Sequence, residues 1–359
     1  MKRFLLVSAF AILILAAILS FAVDVGIVLP TNVEPRWLQD EARFRELLKN
    51  TKYSVEILYS QGSPATERQN VEALISKGMK VLIICPHDAV AAAASAELAK
   101  KNGVFVISYD RLIMNTDAVD YYVTFDSVEV GRQMGRFLVS KVKPGTKNNP
   151  LYLYAGALSD NNSFLFFQGA WEILQPEIAK GTFRIINSTE AEKVKSKKEL
   201  TRDEMARIIG QVTTNWDFNV AKKKAEDDLT KAKATDKGTV YILAPNDGTA
   251  RAIADAFKAD KAVKEYFVTG QDAEKASVQY IIDGKQSMTV FKDTRVLARD
   301  AINLAQQLLE GKKPTATATY DNGKKKVPAI QSEIVTVTKE NVKKMLIESG
   351  YYKESDFKW

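Results

Sequence analysis

The chain has 359 residues, 46% hydrophobic and 26% charged, which suits about two globular domains with separate cores and excludes a disordered chain. Its net charge of +7 comes from lysines mixed with acids, as in Ala221-Lys-Lys-Lys-Ala-Glu-Asp-Asp228. A basic stripe interleaved with aromatics is missing, so nucleic acid is not an expected partner. One cysteine, Cys85, and one histidine, His87, allow no intrachain disulfide and no usual zinc site.

The first predicted element is an export signal. Lys2 and Arg3 precede the apolar run Phe4 to Ile18, and Ser20-Phe21-Ala22 sets small residues where a signal peptidase reads them, so cleavage is expected after Ala22. The rival reading is an uncleaved anchor, because Phe4 to Ala22 carries no charge. No cysteine follows the run to take a lipid, and no second long apolar segment occurs. The mature chain is therefore expected to be soluble.

Strands and helices then alternate. Val23 to Leu29 reads as a buried strand, and Pro35 to Lys49 as a helix with proline in its first turn. Tyr53 to Tyr59 is a strand, Ala65 to Lys77 a helix ended by Gly78, and Val81 to Ile84 a strand ending at Cys85, a small buried hydrophobe. Asp88 caps a helix that runs to Lys101 and stops at Asn102-Gly103; Val104 to Ser108 and Tyr121 to Phe125 are strands. Gly131 and Gly135 show a close-packing spacing rather than a dinucleotide fingerprint. The rhythm restarts with strand Leu151 to Tyr154, helix Asn162 to Ile178, strand Phe183 to Ile186 and helix Phe218 to Ala232. Strands Val240 to Leu243, Tyr266 to Thr269 and Met288 to Phe291 follow, each with a helix after it. Glu190 to Gln211, dense in Lys and Glu, reads as a surface insertion. Alternating β and α predict an α/β fold with parallel sheets and helices on both faces.

Five polar clusters end apolar strands: Tyr109-Asp110-Arg111, Asp160-Asn161-Asn162, Asn246-Asp247-Gly248, Gln271-Asp272 and Lys292-Asp293. In open α/β sheets, side chains at the carboxyl ends of strands converge on one crevice. Carboxylates, amides and cations there, with Trp37 and Trp216 as walls, suit a ligand covered in hydroxyls. Helix capping is the plain alternative for Asp110, Asp160, Asn162, Asn246 and Asp272, and a solvated or surface-paired charge for Arg111 and Lys292. Asp247 reads as a helix-start acid, Gln271 as support for Asp272 and Trp171 as core. No G-x-S-x-G elbow or G-x-x-x-x-G-K-[ST] loop occurs, and no nucleophile–base pair is legible.

Pro35-Arg36-Trp37, Ser108-Tyr-Asp-Arg-Leu-Ile113, Asp160-Asn-Asn162, Leu174-Gln-Pro176, Asn215-Trp216-Asp217, Asn246-Asp247-Gly248, Gly270-Gln-Asp-Ala-Glu274, Val290-Phe-Lys-Asp-Thr-Arg295, Val327-Pro328 and Gly350-Tyr-Tyr-Lys-Glu354 form an ordered series from about residue 24 to the end. Together they resemble the type I periplasmic sugar-binding proteins of ABC transporters, in the xylose-binding and multiple-monosaccharide-binding branch. The resemblance implies two Rossmann-like lobes joined by a three-segment hinge, with crossings near Phe125-Asp126, Phe291-Lys292 and Gln331-Ser332. It places an N-terminal lobe at 23–125 plus 292–330 and a C-terminal lobe at 126–291 plus 331–359.

It further implies a monosaccharide such as xylose, glucose or galactose held in a cleft between the lobes by Arg36, Trp37, Asp110, Arg111, Asp160, Asn162, Trp216, Asn246, Asp272 and Lys292. Carboxylates would accept from sugar hydroxyls, cations and amides would donate, and indole faces would pack on ring C–H groups. The implied partners are an ABC permease with its ATPase, and a chemoreceptor or sensor kinase in the alternative of a signalling receptor. The implied state is a periplasmic monomer without cofactor or metal. A secreted α/β enzyme using Asp110 and Asp272 as acid and base is the third reading. A LacI-type regulator would need a DNA-binding helix pair where the export signal stands. Two departures bear on which sugar fits: Asn32, where multiple-sugar relatives carry lysine, and the long insertion before Trp216.

Overall fold

The computed structural model describes residues 22–49 and 51–359; the expected leader, except its last residue Ala22, lies outside the described residues. The chain divides into two compact units. The first holds the described residues up to Val33, Trp37–Val123 and Ala298–Ile330; the second holds Glu34–Arg36, Thr124–Leu297 and Gln331–Trp359. The expected crossings at Phe125-Asp126 and Phe291-Lys292 compare with divisions after Val123 and Leu297, so Lys292 is a residue of the second unit.

The first unit is built on five parallel strands, β1 (Val25–Leu29), β2 (Val55–Tyr59), β3 (Val81–Ile84), β4 (Phe105–Tyr109) and β5 (Tyr121–Phe125), in the order β2-β1-β3-β4-β5. An antiparallel hairpin, Ala318–Asp321 with Lys326–Ser332, continues the sheet beyond β5. Residues of β3 are wholly buried, as a central strand covered on both faces requires, and this is why Val81 to Ile84 reads as an unbroken apolar run. Helices α1 (Pro35–Leu48), α2 (Pro64–Ser76) and α3 (Ala92–Lys101) follow the first three strands. Ser63 caps α2 by accepting from the Thr66 N–H. The third helix starts later than expected, because Asp88 Oδ1 accepts from the N–H groups of Val90 and Ala91 in a turn that precedes it.

In the second unit, α4 (Ser127–Ser140) leads into β6 (Asn149–Leu153), α5 (Asn161–Ala179) and β7 (Phe183–Ile185). The helices α6 (Thr189–Lys193), α7 (Arg202–Val212) and α8 (Phe218–Lys231) come next. Then β8 (Gly238–Leu243), α9 (Asp247–Ala259) and β9 (Val263–Val268) complete a parallel sheet in the order β7-β6-β8-β9. Alternate residues of β6 and β8 face opposite cores. Leu151, Leu153, Tyr241 and Leu243 pack with α4, α5 and α7, while Tyr152, Val240 and Ile242 pack with α8 and α9. The two glycine-bearing helices cross closely: a methyl group at Gly131 would overlap the Phe166 carbonyl, and one at Gly169 the Val128 carbonyl. This is the close-packing role expected of Gly131. After α10 (Lys275–Ile282), β10 (Thr289–Lys292) pairs antiparallel with Ile334–Val337, and α11 (Thr294–Leu309) leaves the unit.

One expectation is corrected. Glu190 to Gln211 is no surface insertion: Ala191, Met205, Ile208 and Ile209 are buried in the core beside α5. Ser188 caps α6, and Thr201 with Glu204 forms a capping box at α7. Apart from Glu204, which is buried, the segment's charges lie on its outer side, in pairs such as Lys193–Glu190 and Lys195–Glu192.

Candidate functional site

In the first unit the expected residues cluster where β3 and β4 end. Asp110 adopts a left-handed backbone with φ 59°, a conformation acidic and amide residues tolerate better than most. Its N–H donates to the Val123 carbonyl at 2.8 Å, and its carbonyl accepts from the Tyr122 hydroxyl at 2.6 Å. Ser108 Oγ donates to the Arg111 carbonyl at 2.6 Å and accepts from the Ile113 N–H at 3.0 Å. The turn is thus fixed from both sides. The Arg111 guanidinium lies 4.9 Å from the centroid of the Trp37 ring, a cation–π arrangement, and Nη1 reaches the Pro86 carbonyl at 3.4 Å. Trp37 is only 2% exposed and forms a buried platform under Arg111. Nearby, buried Glu67 accepts from the His87 N–H at 2.9 Å, and burial pushes its carboxyl up to about 7. Burial and Arg111 hold His87 below its usual value.

In the second unit Asp272 is the centre. Its Oδ1 receives Lys292 Nζ at 2.7 Å and Arg36 Nη1 at 3.2 Å, and all three side chains are buried. Lys292 Nζ also lies 5.7 Å from the Phe125 ring and 5.6 Å from the Phe166 ring, so two aromatic rings and a carboxylate together hold a desolvated ammonium. Asp272 and Ala273 both have positive φ, 99° and 47°, in a loop held by Asp247. Asp247 is fully buried and accepts from Gln286 Nε2 at 2.7 Å, the Glu274 N–H at 2.9 Å and Thr289 Oγ1 at 3.0 Å. Burial and the neighbouring Glu274 and Asp272 carboxylates push Asp247 well above the usual carboxyl range. Read from sequence as a helix-start acid, Asp247 also joins the loop of Asp272 to the strand of Lys292.

The two expected clusters at helix starts both supply N-caps. Asp160 caps α5 by accepting from the Asn162 N–H at 2.8 Å, and Asn162 Oδ1 accepts from Ser127 Oγ at 3.3 Å. Asn246 Oδ1 caps α9, accepting from Thr249 N at 3.3 Å and Oγ1 at 2.6 Å, which turns the amide N–H2 to donation. Trp216 is half-buried, with Asn215 and Trp216 both left-handed at φ 52° and 61°, and meets Phe166 edge-on at 6.3 Å. Two buried polar atoms have no hydrogen-bond partner among the described residues: Ser163 Oγ, which sequence reasoning missed, and Gln271 Oε1, of the residue read as support for Asp272. Both stand within or beside the polar clusters, which was their one signal. Among the described residues no group of three or more His, Cys, Asp or Glu is placed to hold a metal ion, and no helix is long and apolar enough to cross a membrane.

Each unit offers a carboxylate as acceptor and a cation as donor, and the second adds amides and an indole, a chemistry suited to hydroxyl groups. Comparison with known proteins agrees. The periplasmic binding protein domain family matches residues 25–313. The chain is 35% identical over 350 residues to the multiple sugar-binding periplasmic receptor ChvE of Rhizobium radiobacter, covering 94% of each. It is 29% identical over 334 residues to the D-xylose-binding periplasmic protein of Escherichia coli strain K12, covering 93% of this chain and 92% of the relative. Among solved structures, a carbohydrate transporter solute binding protein from Chloroflexus aurantiacus in complex with D-glucose is 69% identical with a TM-score of 0.92, over 94% of this chain and 98% of that one. An ABC transporter solute binding protein from Clostridium phytofermentans with bound β-D-glucose is 33% identical with a TM-score of 0.82, over 93% and 99%.

Proposed function

The chain belongs to the periplasmic binding protein domain family, and on that premise we propose that it binds a single aldose ring reversibly, D-glucose first among the candidates, and delivers it to an ABC importer. The observation that carries the reading is the buried Asp272–Lys292–Arg36 cluster. A desolvated carboxylate shared by two cations presents both an acceptor and donors of charged hydrogen bonds, the stronger kind. In the proposal Asp110 and Arg111 supply a second such pair, Asp160, Asn162 and Asn246 add acceptors and donors, Trp216 packs on a ring face, and Trp37 acts through Arg111. Binding without chemistry fits a solute-binding family. The export signal, cleavage after Ala22 and release into the periplasm belong to the same proposal, supported by relatives whose names place them in the periplasm.

Calorimetry of the mature chain with D-glucose, D-xylose, D-galactose, L-arabinose and D-ribose tests it. The expected result is saturable binding of at least one monosaccharide, recovered unchanged, with thermal stability raised by about 2.7 kcal/mol at a hundredfold excess over Kd. A new sugar product in proportion to protein added would overturn it, as would binding only of a disaccharide or nucleoside. Delivery is tested by uptake of the bound sugar in cells with and without this chain. Occupancy signalling through a sensor, the alternative, would show as a ligand response that survives loss of the permease.

A further inference from the structure

The residue under Trp216 is Gly156, in the segment between β6 and α5. A methyl group there would overlap Cζ2, Cη2 and Cε2 of the indole. Those three adjacent atoms lie at nearly equal distances, so the glycine meets the face of the ring and not its edge. The φ of Gly156 lies outside the left-handed region, so its backbone does not itself demand glycine. What excludes a side chain is the indole.

The neighbours of both residues are fixed. Ala155 and Thr213 form a parallel bridge; Thr213 Oγ1 donates to the Gly156 carbonyl at 2.7 Å and accepts from the Asn215 N–H at 3.0 Å. Thr214, fully buried, donates through N–H and Oγ1 to the Ala155 carbonyl at 2.7 and 2.9 Å. Asn215 and Trp216 then take two successive left-handed conformations, which for a residue as bulky as tryptophan is a strained arrangement that surrounding structure must hold. Phe166 meets the indole at its edge with an interplanar angle of 79° and makes the one aromatic ring contact of Trp216 among the described residues.

We propose that Gly156 is a positioning residue for ligand recognition: lacking a side chain, it lets one face of Trp216 lie flat on the backbone and so sets the plane that the opposite face offers to a sugar ring. The proposal rests on the functional reading above, in which Trp216 packs on the ligand. Gly156→Ala tilts or lifts the indole, and a tilted ring loses area against a flat pyranose face. Gly156 touches no ligand in this scheme and acts only through Trp216.

A four-member cycle tests it: parent, Gly156→Ala, Trp216→Ala and the double variant, each titrated with D-glucose by calorimetry and recorded by near-ultraviolet circular dichroism without sugar. Gly156→Ala is expected to weaken D-glucose binding on the order of tenfold in the parent and less than about twofold in the Trp216→Ala background. The Trp216 spectral signature, parent minus Trp216→Ala, is expected to change in Gly156→Ala. Equal losses in both backgrounds, unchanged affinity or an unchanged signature would overturn the proposal. If Trp216→Ala binds D-glucose like the parent, or the parent does not bind it, the ligand role of Trp216 or the choice of sugar fails instead, and the sugar-free spectra decide the positioning claim. Should Gly156→Ala fail to fold alone, adding Trp216→Ala must restore folding, since the double variant removes the overlap; if it does not, Gly156 serves some other purpose and the proposal falls.

Discussion

Arg111 in the first unit and Arg36 with Lys292 in the second are all buried cations, and each unit steadies them differently. Arg111 lies over a neutral aromatic face and reaches a neutral carbonyl. Arg36 and Lys292 converge on one carboxylate oxygen of Asp272. Removing a neutral platform costs packing and a fraction of a cation–π interaction, whereas removing a carboxylate leaves two desolvated positive charges facing each other. The comparison therefore separates the units. In the second unit the Asp272 carboxylate also holds the fold together; in the first, the Trp37 face is a neutral support whose loss brings no two buried cations into opposition.

The largest expected effect follows. Asp272→Ala should lower stability by about 3–5 kcal/mol, read from urea unfolding without sugar, and abolish measurable monosaccharide binding. Alanine at φ 99° adds backbone strain, so Asp272→Asn, which tolerates that conformation better, isolates the charge and should retain part of the loss. An Asp272→Ala protein as stable as the parent would break the comparison.

Asp110→Ala is the counterpart in the first unit. It should weaken binding by roughly 2–3 kcal/mol, about thirty- to over a hundredfold, because a buried sugar hydroxyl loses a charged acceptor. The stability loss should stay below that of Asp272→Ala: alanine tolerates the left-handed backbone less well, but the Asp110 N–H and carbonyl keep their partners Val123 and Tyr122. Calorimetry and unfolding on one preparation check both halves. A stability loss as large as that of Asp272→Ala would erase the distinction between the units.

How much of this was legible follows from where each residue stands. Asp110, Asp160, Asn246 and Lys292 end strands or start helices, and Asp272 stands in the loop between a strand and a helix; a β-branched run meeting a polar cluster marks such points in any α/β chain. The pairing of Arg36 with Asp272 spans 236 positions and leaves no local trace. Met205, Ile208, Ile209 and Val212 have helical spacing, and Thr201 with Glu204 is a capping box, so the burial of α7 was written in the sequence. The dense charge before it, which lies on the outer side, masked the stripe. Trp37 illustrates the opposite limit. Its place in the first turn of α1 was clear, but that Arg111 would cover its ring depends on a contact between α1 and the turn after β4.

A pH series sharpens the comparison within the first unit. The folded carboxyl of Glu67 titrates near 7 against an ordinary value of 4.5, chiefly because it is buried. A raised value means that the folded chain holds the proton more tightly, so the contribution is fully present below about 4.5 and fades as pH rises through 7. Glu67→Gln removes that dependence while keeping an oxygen for the His87 N–H. The two proteins should be equally stable at acid pH, and the variant more stable by about 1–3 kcal/mol at pH 8. A constant difference across the series would show that Glu67 does not titrate in this window.

The smallest expected effect belongs to Trp359, a tryptophan placed unlike Trp37 and Trp216. It is 55% exposed, meets Phe357 edge-on at 6.4 Å and donates through Nε1 to the Glu354 carbonyl at 3.1 Å. An exposed hydrogen bond exchanges for one with water at little net cost, and an aromatic that leaves more than half its surface in solvent buries little area. Trp359→Ala should change stability by less than about 0.5 kcal/mol and sugar affinity not at all. Trp37→Ala, by contrast, empties a buried site and removes the face under Arg111, so it should cost both stability and affinity. Measured side by side, the two variants ask whether burial or residue type decides the loss. Equal losses would mean that the platform under Arg111 contributes nothing beyond what an exposed indole does.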